Sequence, residues 1–176
     1  ALPALVEALQ SPDPEVRFCA VQGLSVVGPR AGPALSVISA ATDDSFYKVR
    51  NTAIMALSRI GPTAVPALIA CLRQHNDDEA RSLAARALGL IGYGAQAAVP
   101  DLLAAVSDPS PDVRASSAKA LGNVRAGVPA VAPLIGALSD SAPEVRRNAA
   151  LGLGLLGRLA LPAVSALTGA LVDDDV

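Results

Sequence analysis

Recurrent arginines are the residues whose type and spacing first suggest chemistry in this chain. They end the pairs Val16-Arg17, Val49-Arg50, Ala80-Arg81, Val113-Arg114 and Val145-Arg146, which follow one another at intervals of 31 to 33 residues. A row of guanidinium groups can bind anions, and a guanidinium can equally be held within a scaffold by carboxylates or turn carbonyls. Candidate partners for these guanidinium groups stand six positions before the arginines, at Ser11, Asp44, His75, Asp108 and Asp140.

Other residue types that carry catalysis lack the partners that they need. His75 is the only histidine, and a metal site or proton shuttle needs further donors, so we predict a solvated turn residue there. Ser36, Ser58 and Ser165 have no base near them, which argues against a hydrolase. The Gly-Leu-Gly at 152–154 follows no predicted strand and indicates helix packing rather than a phosphate loop. The sequence therefore predicts no catalytic residue, no metal site and no cofactor.

Composition limits the classes of partner. The formal net charge is −2, so no overall field attracts nucleic acid or an anionic membrane. The chain is 52% hydrophobic but only 2% aromatic, which suits a stack whose units bury apolar faces against their neighbours. Ala149 to Val172 is long and apolar enough to span a bilayer, but Gly157 and Pro162 divide it into two elements. We predict neither nucleic-acid binding nor membrane insertion.

The same small and branched residues follow each arginine, so one supersecondary unit is repeated. Three positions on stand Ala20, Ala53, Ala84, Ser117 and Ala149, seven on stand Leu24, Leu57, Leu88, Leu121 and Leu153, and eleven on stand Gly28, Gly61, Gly92 and Gly157. Each unit opens with a proline, which predicts a first helix of about 9 to 11 residues. A second helix then runs from a capping turn to the glycine. The predicted capping turns begin at Asp13, Asp77, Ser110 and Ser141. In the fourth unit Arg125 replaces the glycine and Gly127 follows, which predicts a distorted corner.

The period predicts an all-α solenoid. Its units span 1–31, 32–64, 65–97, 98–130 and 131–160, followed by a partial unit at 161–176 in which 173–175 match the turn of a sixth repeat. The last helix carries Val164, Leu167 and Leu171 on one side. We therefore expect that the chain is part of a longer array, or that flanking repeats, another copy or a partner cover the ends.

The proline-opened helix, the turn with Asp or Ser, and the second helix with Val-Arg, Ala, Ala-Leu-Gly and Ile-Gly resemble HEAT repeats of the short bacterial type, also called phycobilisome-lyase HEAT-like. The resemblance covers essentially the whole chain. It implies a right-handed α-solenoid (α-α superhelix) of antiparallel helix pairs, about five and a half repeats, with second helices lining the concave side. In such stacks the turn acids resemble partners of the arginine in the same or the adjacent repeat. This favours a structural ladder made of Arg17, Arg50, Arg81, Arg114 and Arg146 with Asp44, Asp108 and Asp140.

A candidate binding surface lies on the second helices, at positions that vary between repeats. Residues one, five and nine positions after the recurrent arginine share a helix face. Interleaved cations and apolar residues on this face would suit an extended or helical acidic segment of a partner protein, and they would equally suit an ordinary solvated surface. The predicted contact residues are Phe18, Gln22, Met55, Arg59, Arg86, Leu90, Lys119, Asn123, Arg147 and Leu151.

The leading functional prediction is a non-enzymatic protein-interaction scaffold. The resemblance implies an enzymatic alternative, a subunit of a phycobilin lyase or isomerase, since relatives with such repeats attach bilins to antenna proteins. Tyr47 and Tyr93 offer little aromatic surface for a bilin. A third class, DNA repair of the HEAT-like glycosylase kind, would need a basic groove and more aromatic residues. Cys19 and Cys71 lie in different repeats and are predicted to be separate reduced thiols, which favours a cytoplasmic location.

Overall fold

Paired helices make up the structure, a computed structural model that describes residues 2–170. Within these residues every regular element is helical. The first helices of the pairs are α1 (Leu2–Ala8), α3 (Leu35–Ala40), α5 (Val65–Gln74), α7 (Val99–Ala105), α9 (Val131–Ala137) and α11 (Val164–Ala170). The second helices are α2 (Pro14–Val27), α4 (Tyr47–Ile60), α6 (Asp78–Ile91), α8 (Pro111–Asn123) and α10 (Pro143–Leu156). The fold is the predicted right-handed α-solenoid. Leu171 and the turn predicted at 173–175 lie outside the described residues.

The second helices begin at capped turns, although two of the predicted caps are wrong. Asp13 and Asp77 accept hydrogen bonds from backbone N–H groups two residues on, as predicted. Ser110 makes no such bond, and α10 begins after Ala142 rather than after a capping Ser141. In these repeats an aspartate two residues before the N-cap accepts the backbone N–H instead, at 2.9 Å. In these two repeats the aspartate six positions before the arginine therefore orders the turn, because a carboxylate is a stronger acceptor than a hydroxyl.

Glycines end four of the five second helices. Gly28, Gly61, Gly92 and Gly157 have φ values of 61°, 96°, 67° and 59°, which a residue without a Cβ adopts readily. In the fourth repeat α8 ends at Asn123, and Arg125 itself takes a φ of 55° before Gly127. The distortion predicted for this corner is thus a left-handed backbone conformation at Arg125. This conformation costs a residue with a Cβ about 1–2 kcal/mol.

The first helices are shorter than predicted. α3 has 6 residues and α1, α7, α9 and α11 have 7, and only α5 reaches 10. The missing residues form 3₁₀ turns, among them Gly28–Ala34, Gly92–Ala98 and Gly157–Ala163. Pro33 and Pro162 therefore lie inside 3₁₀ turns rather than in the first turn of an α-helix. The sequence did not reveal this tighter winding, because a proline suits the start of either helix type.

The second helices pack directly on one another along the stack. Each consecutive pair of them is in contact, whereas the first helices mainly contact second helices. A Cβ added to Gly152 would lie 2.6 Å from the carbonyl oxygen of Ala118, and one added to Gly122 would lie 2.8 Å from the Cα of Gly152. This close approach confirms that the glycine at 152 serves helix packing. Consecutive second helices therefore form one continuous layer along the stack.

Two helical stretches, Asp78–Ala105 and Pro143–Gly169, are long and apolar enough to cross a membrane by length and composition alone. Each consists of a second helix, a 3₁₀ turn and the next first helix. The turns begin at Gly92 and Gly157, whose positive φ interrupts the helix. Packed core helices pass the same test, so the absence of membrane insertion stays a prediction.

Candidate functional site

Four of the recurrent arginines tie repeats 1 to 5 to one another, namely Arg17, Arg50, Arg81 and Arg114. The pairs that share two hydrogen bonds are Arg17–Asp44, Arg81–Asp108 and Arg114–Asp140. In the first of them Nε and Nη2 of Arg17 lie 2.6 and 2.8 Å from the carboxylate oxygens of Asp44. The remaining Nη1 donates to the carbonyl of Ser11 in the arginine's own turn, at 3.0 Å. Arg146 likewise donates to the carbonyl of Asp140, at 2.9 Å. Guanidinium groups held in this way orient the repeats and have little capacity left for an outside anion.

The ladder carboxylates each serve two contacts. Asp44 accepts the bonds from Arg17 and, at 2.9 Å, the backbone N–H of Phe46. The hydrogen bond from Arg17 lowers the pKa of Asp44, and the one from Arg114 lowers the pKa of Asp140, although burial acts in the opposite direction. These carboxylates therefore stay ionised at neutral pH.

The link between repeats 2 and 3 is built differently. His75 takes the aspartate's position, and Arg50 instead donates one hydrogen bond to Asp77. The Nε of Arg50 is buried and has no acceptor among residues 2–170. His75 Nδ1 accepts the backbone N–H of Asp77 at 3.1 Å, which assigns the ring proton to Nε2, 3.2 Å from the carbonyl of Thr42.

The prediction of a solvated histidine is wrong, because the His75 side chain is only 11% exposed. Its ring joins two repeats, and the sequence alone showed no partner for it. Nothing in the local sequence indicated that Thr42, in the preceding repeat, would offer a carbonyl to the imidazole.

Part of the predicted binding face is an open depression of about 570 Å³, which we call the first hollow. It crosses the second helices of repeats 1 to 3 and brings together three of the predicted contact residues, Gln22, Met55 and Arg59. Val26 is 80% exposed there, so apolar surface is open to a partner. The lining consists of Gln22, Ser25 and Val26 of α2, Asn51, Thr52, Met55 and Arg59 of α4, and Glu79 and Leu83 of α6.

A second hollow, of about 450 Å³, crosses the second helices of repeats 3 to 5. It brings together four more of the predicted residues, namely Arg86, Leu90, Lys119 and Asn123. Leu90 is 61% exposed. The lining consists of Arg86, Gly89 and Leu90 of α6, Ser116, Lys119, Ala120 and Asn123 of α8, and Glu144 and Asn148 of α10.

Three predicted contact residues line neither hollow. The Phe18 ring has the Lys48 ammonium 5.8 Å from its centroid. Arg147 donates to the carboxylate of Glu144 at 2.7 Å, between two exposed side chains. Leu151 is 48% exposed on α10. These residues remain on the same side of the stack, but the structure does not bring them into one depression with the others.

The charges of the two hollows are only partly balanced. Arg59, Arg86 and Lys119 form no ion pair with any carboxylate in the part of the chain that the structure describes. Each hollow also contains one glutamate that the sequence reasoning missed, Glu79 or Glu144. Both lie in the first turn of a second helix, Glu79 in α6 and Glu144 in α10. Their position two residues before the ladder arginine lies on the same helix face as the predicted contacts and could have revealed them.

Within residues 2–170 no group of three or more His, Cys, Asp and Glu side chains could hold a metal ion. Cys19 and Cys71 are free, and Cys19 is exposed. Burial raises the pKa of the Cys71 thiol to about 12, so this thiol is protonated and unreactive at neutral pH.

Comparison with protein families gives matches along nearly the whole chain. A family model described as HEAT repeats matches residues 34–106, 65–133 and 99–176, and one described as HEAT repeat matches residues 1–31. Comparison of the sequence with curated proteins gives no significant match.

Solved structures share the fold at low sequence identity. The Escherichia coli protein YibA matches at a TM-score of 0.71 and 17% identity, over 98% of this chain and 64% of that one. A designed armadillo repeat protein matches at 0.64 and 22% identity, over 97% of this chain and 88% of that one. The complex of CpcE and CpcF of phycocyanin lyase from Nostoc sp. PCC7120 matches at only 0.49 and 22% identity, over 95% of this chain and 80% of that one. The first two likenesses concern the fold alone, and the third carries no argument about function.

Proposed function

Because this chain belongs to the HEAT repeat family, we propose that it is a non-enzymatic interaction scaffold that binds an acidic segment of a partner protein on its concave face. The observation that carries the proposal is the pair of hollows on the second helices. Both are open, both contain exposed apolar side chains, and both contain cations without a carboxylate partner in residues 2–170. The ladder arginines, by contrast, already have partners within the protein.

The acidic nature of the partner follows from the charges that the fold leaves unpaired. An anionic side chain that meets Arg86 and Lys119 together gains attraction from two cations on neighbouring helices. Leu90 lies in the same hollow and offers apolar contact beside them. Such a mixture of charge and exposed apolar surface suits a peptide segment with both kinds of side chain.

Nucleic acid fits this face less well than a protein does. A phosphate backbone carries negative charge at regular intervals, and it would meet Glu79 in one hollow and Glu144 in the other. The net charge of −2 adds no long-range attraction. A protein partner can place its acidic side chains opposite the cations and avoid the glutamates.

A bilin-handling enzyme remains the alternative that the family resemblance suggests. A bilin needs cations for its propionates and a lining that packs against its conjugated rings. The second hollow supplies Arg86 and Lys119, but no aromatic side chain lines either hollow. We therefore place the scaffold first. A saturable change in bilin absorbance on titration with this chain, abolished by Arg86→Glu with Lys119→Glu, would reverse that order.

The test of the scaffold is partner capture with a charge-reversed face. The chain carrying Arg86→Glu and Lys119→Glu is compared with the parent chain as bait in lysate of the source organism. The matched control carries Arg30→Glu and Arg158→Glu, two exposed arginines outside both hollows. We expect a partner to be lost from the first bait only. Helicity and melting should match the parent, because exposed charges contribute little to stability. Equal capture by all three baits would refute the proposal.

A further inference from the structure

The two hollows are lined by residues at the same positions of the repeat, and they lie two repeats apart. Each begins on a second helix at residues five, eight and nine positions after its ladder arginine. Each crosses the next second helix at positions two, five and nine after the arginine. Each ends on the third at positions two before and two after it. The hollows therefore run obliquely in the same direction, from the C-terminal half of one helix to the N-terminal half of the helix two repeats on.

Equivalent positions in the two hollows differ in chemistry. An apolar residue at position nine and a glutamate two before the arginine are common to both. Three other positions change from apolar or uncharged in the first hollow to charged or polar in the second. They are Gln22 against Arg86, Met55 against Lys119, and Leu83 against Asn148. The position nine residues after the arginine of the middle helix changes in the opposite sense, from Arg59 to Asn123. The second hollow still has two cations against one, and the first has more large apolar side chains. The first hollow therefore suits an apolar side chain better, and the second suits a carboxylate better.

The spacing of the hollows limits what can reach both. Neighbouring packed helices lie about 8–10 Å apart, so a shift of two repeats is about 16–20 Å. An extended chain advances about 3.3 Å per residue and covers this distance in five or six residues. A helix advances about 1.5 Å per residue and needs roughly 11 to 13.

The polar side chains that line the two hollows favour an extended partner segment over a helical one. Ser25 and Thr52 in the first hollow, and Asn123 and Asn148 in the second, make no side-chain hydrogen bond within the described residues. An extended segment has free main-chain N–H and C=O groups that these hydroxyl and amide groups can pair with. A helix has already satisfied its own main-chain groups internally.

We propose that the two hollows act together as a bivalent site for one extended segment, which carries an apolar side chain for the first hollow and an Asp or Glu for the second, five or six residues apart. This inference rests on the proposed function of the concave face. Because both contacts belong to one segment, the second forms at high effective concentration once the first has formed, and loss of either removes most of the affinity.

The experiment selects a random twelve-residue peptide library, displayed on phage, on the whole chain. Enriched peptides are then synthesised, and their affinities are measured by fluorescence anisotropy. Val26→Asp alters the first hollow and Lys119→Glu the second, and both side chains are exposed. Val128→Asp and Arg30→Glu are matched controls at exposed positions outside the hollows. Circular dichroism checks every variant, and Val26→Lys replaces Val26→Asp if the acid at the helix end lowers helicity.

We expect enriched peptides to share an apolar residue and an acidic residue five or six positions apart. Each hollow variant should weaken their binding at least about tenfold, and the controls should change it less than about twofold. Peptides that depend on only one hollow, or that share no spacing, would overturn the bivalent site and leave the proposed scaffold intact. Failure to enrich any peptide, or equal binding by parent and hollow variants, would overturn both.

Discussion

Replacing Gly152 with alanine tests the close packing of α8 and α10 most directly. A helix-interior Gly→Ala change gains about 1 kcal/mol of intrinsic helix propensity. The new Cβ of Gly152→Ala would lie 2.6 Å from the carbonyl oxygen of Ala118, which belongs to backbone and cannot turn aside. Overpacking of this kind costs about 1–3 kcal/mol, and we expect the upper end because two helices must separate. The expected net effect is a loss of about 2 kcal/mol.

Gly154 provides the matched control on the same helix. No atom lies within 4 Å of a Cβ added there, so Gly154→Ala should keep the propensity gain and stabilise the protein by about 0.5–1 kcal/mol. Urea denaturation followed by circular dichroism measures both variants. In a solenoid each repeat relies on its neighbours, so Gly152→Ala should also broaden or split the transition as repeats 4 and 5 uncouple. If both substitutions stabilise the chain equally, the inference that the second helices approach to backbone contact is refuted.

Three further outcomes follow from contacts in the turns. The hydrogen bond from Arg114 lowers the pKa of Asp140, so the stability that this carboxylate adds is fully present above about pH 4, the value for a free Asp, and is lost as pH falls further. The melting temperature of Asp140→Asn should therefore lie below the parent's at pH 7 and approach it as the pH falls below about 4. Arg125 has a φ of 55°, so Arg125→Gly should raise the free energy of unfolding by about 0.5–1 kcal/mol, and a decrease would show that the arginine's own contacts outweigh the strain. A thiol reagent at pH 7 should modify Cys19 rapidly and Cys71 only on unfolding, because burial raises the pKa of Cys71 to about 12; rapid reaction of both would contradict its burial.

The sequence predicted the architecture because the same pattern of residues recurs in five repeats. The small residue three positions after each arginine and the leucine seven positions after it are buried in all five repeats. A glycine ends four of the five second helices. The short first helices were missed for a physical reason. Whether the chain after Gly28 winds as an α-helix or as a 3₁₀ turn depends on how it docks on its neighbours, and local propensity hardly distinguishes the two.

The sequence predicted the helix face on which the candidate site lies, but not which residues of that face come together in one hollow. Period and helix geometry placed Gln22, Met55 and Arg59 on one side of the second helices, and the structure brings them into one hollow. Glu79 completes that hollow from the next repeat, across a distance that no local pattern encodes. For the same reason the sequence did not show that Arg50 bonds to Asp77 while His75 bonds to Thr42, since Arg50 and Thr42 both lie in the preceding repeat.

The ladder also sets how the stack responds to mechanical force. In repeats 1 to 4 the ladder arginine reaches a carboxylate of the next repeat, so these links lie in series and a load that extends the superhelix passes through all of them. The joint between repeats 2 and 3 is held differently, by the single bond from Arg50 to Asp77 together with the bond between His75 Nε2 and the carbonyl of Thr42. The first hollow spans that joint, whereas the second lies wholly beyond it. We therefore expect a change at this joint, such as loss of the His75 bond, to alter the first hollow and to leave the second one as it is.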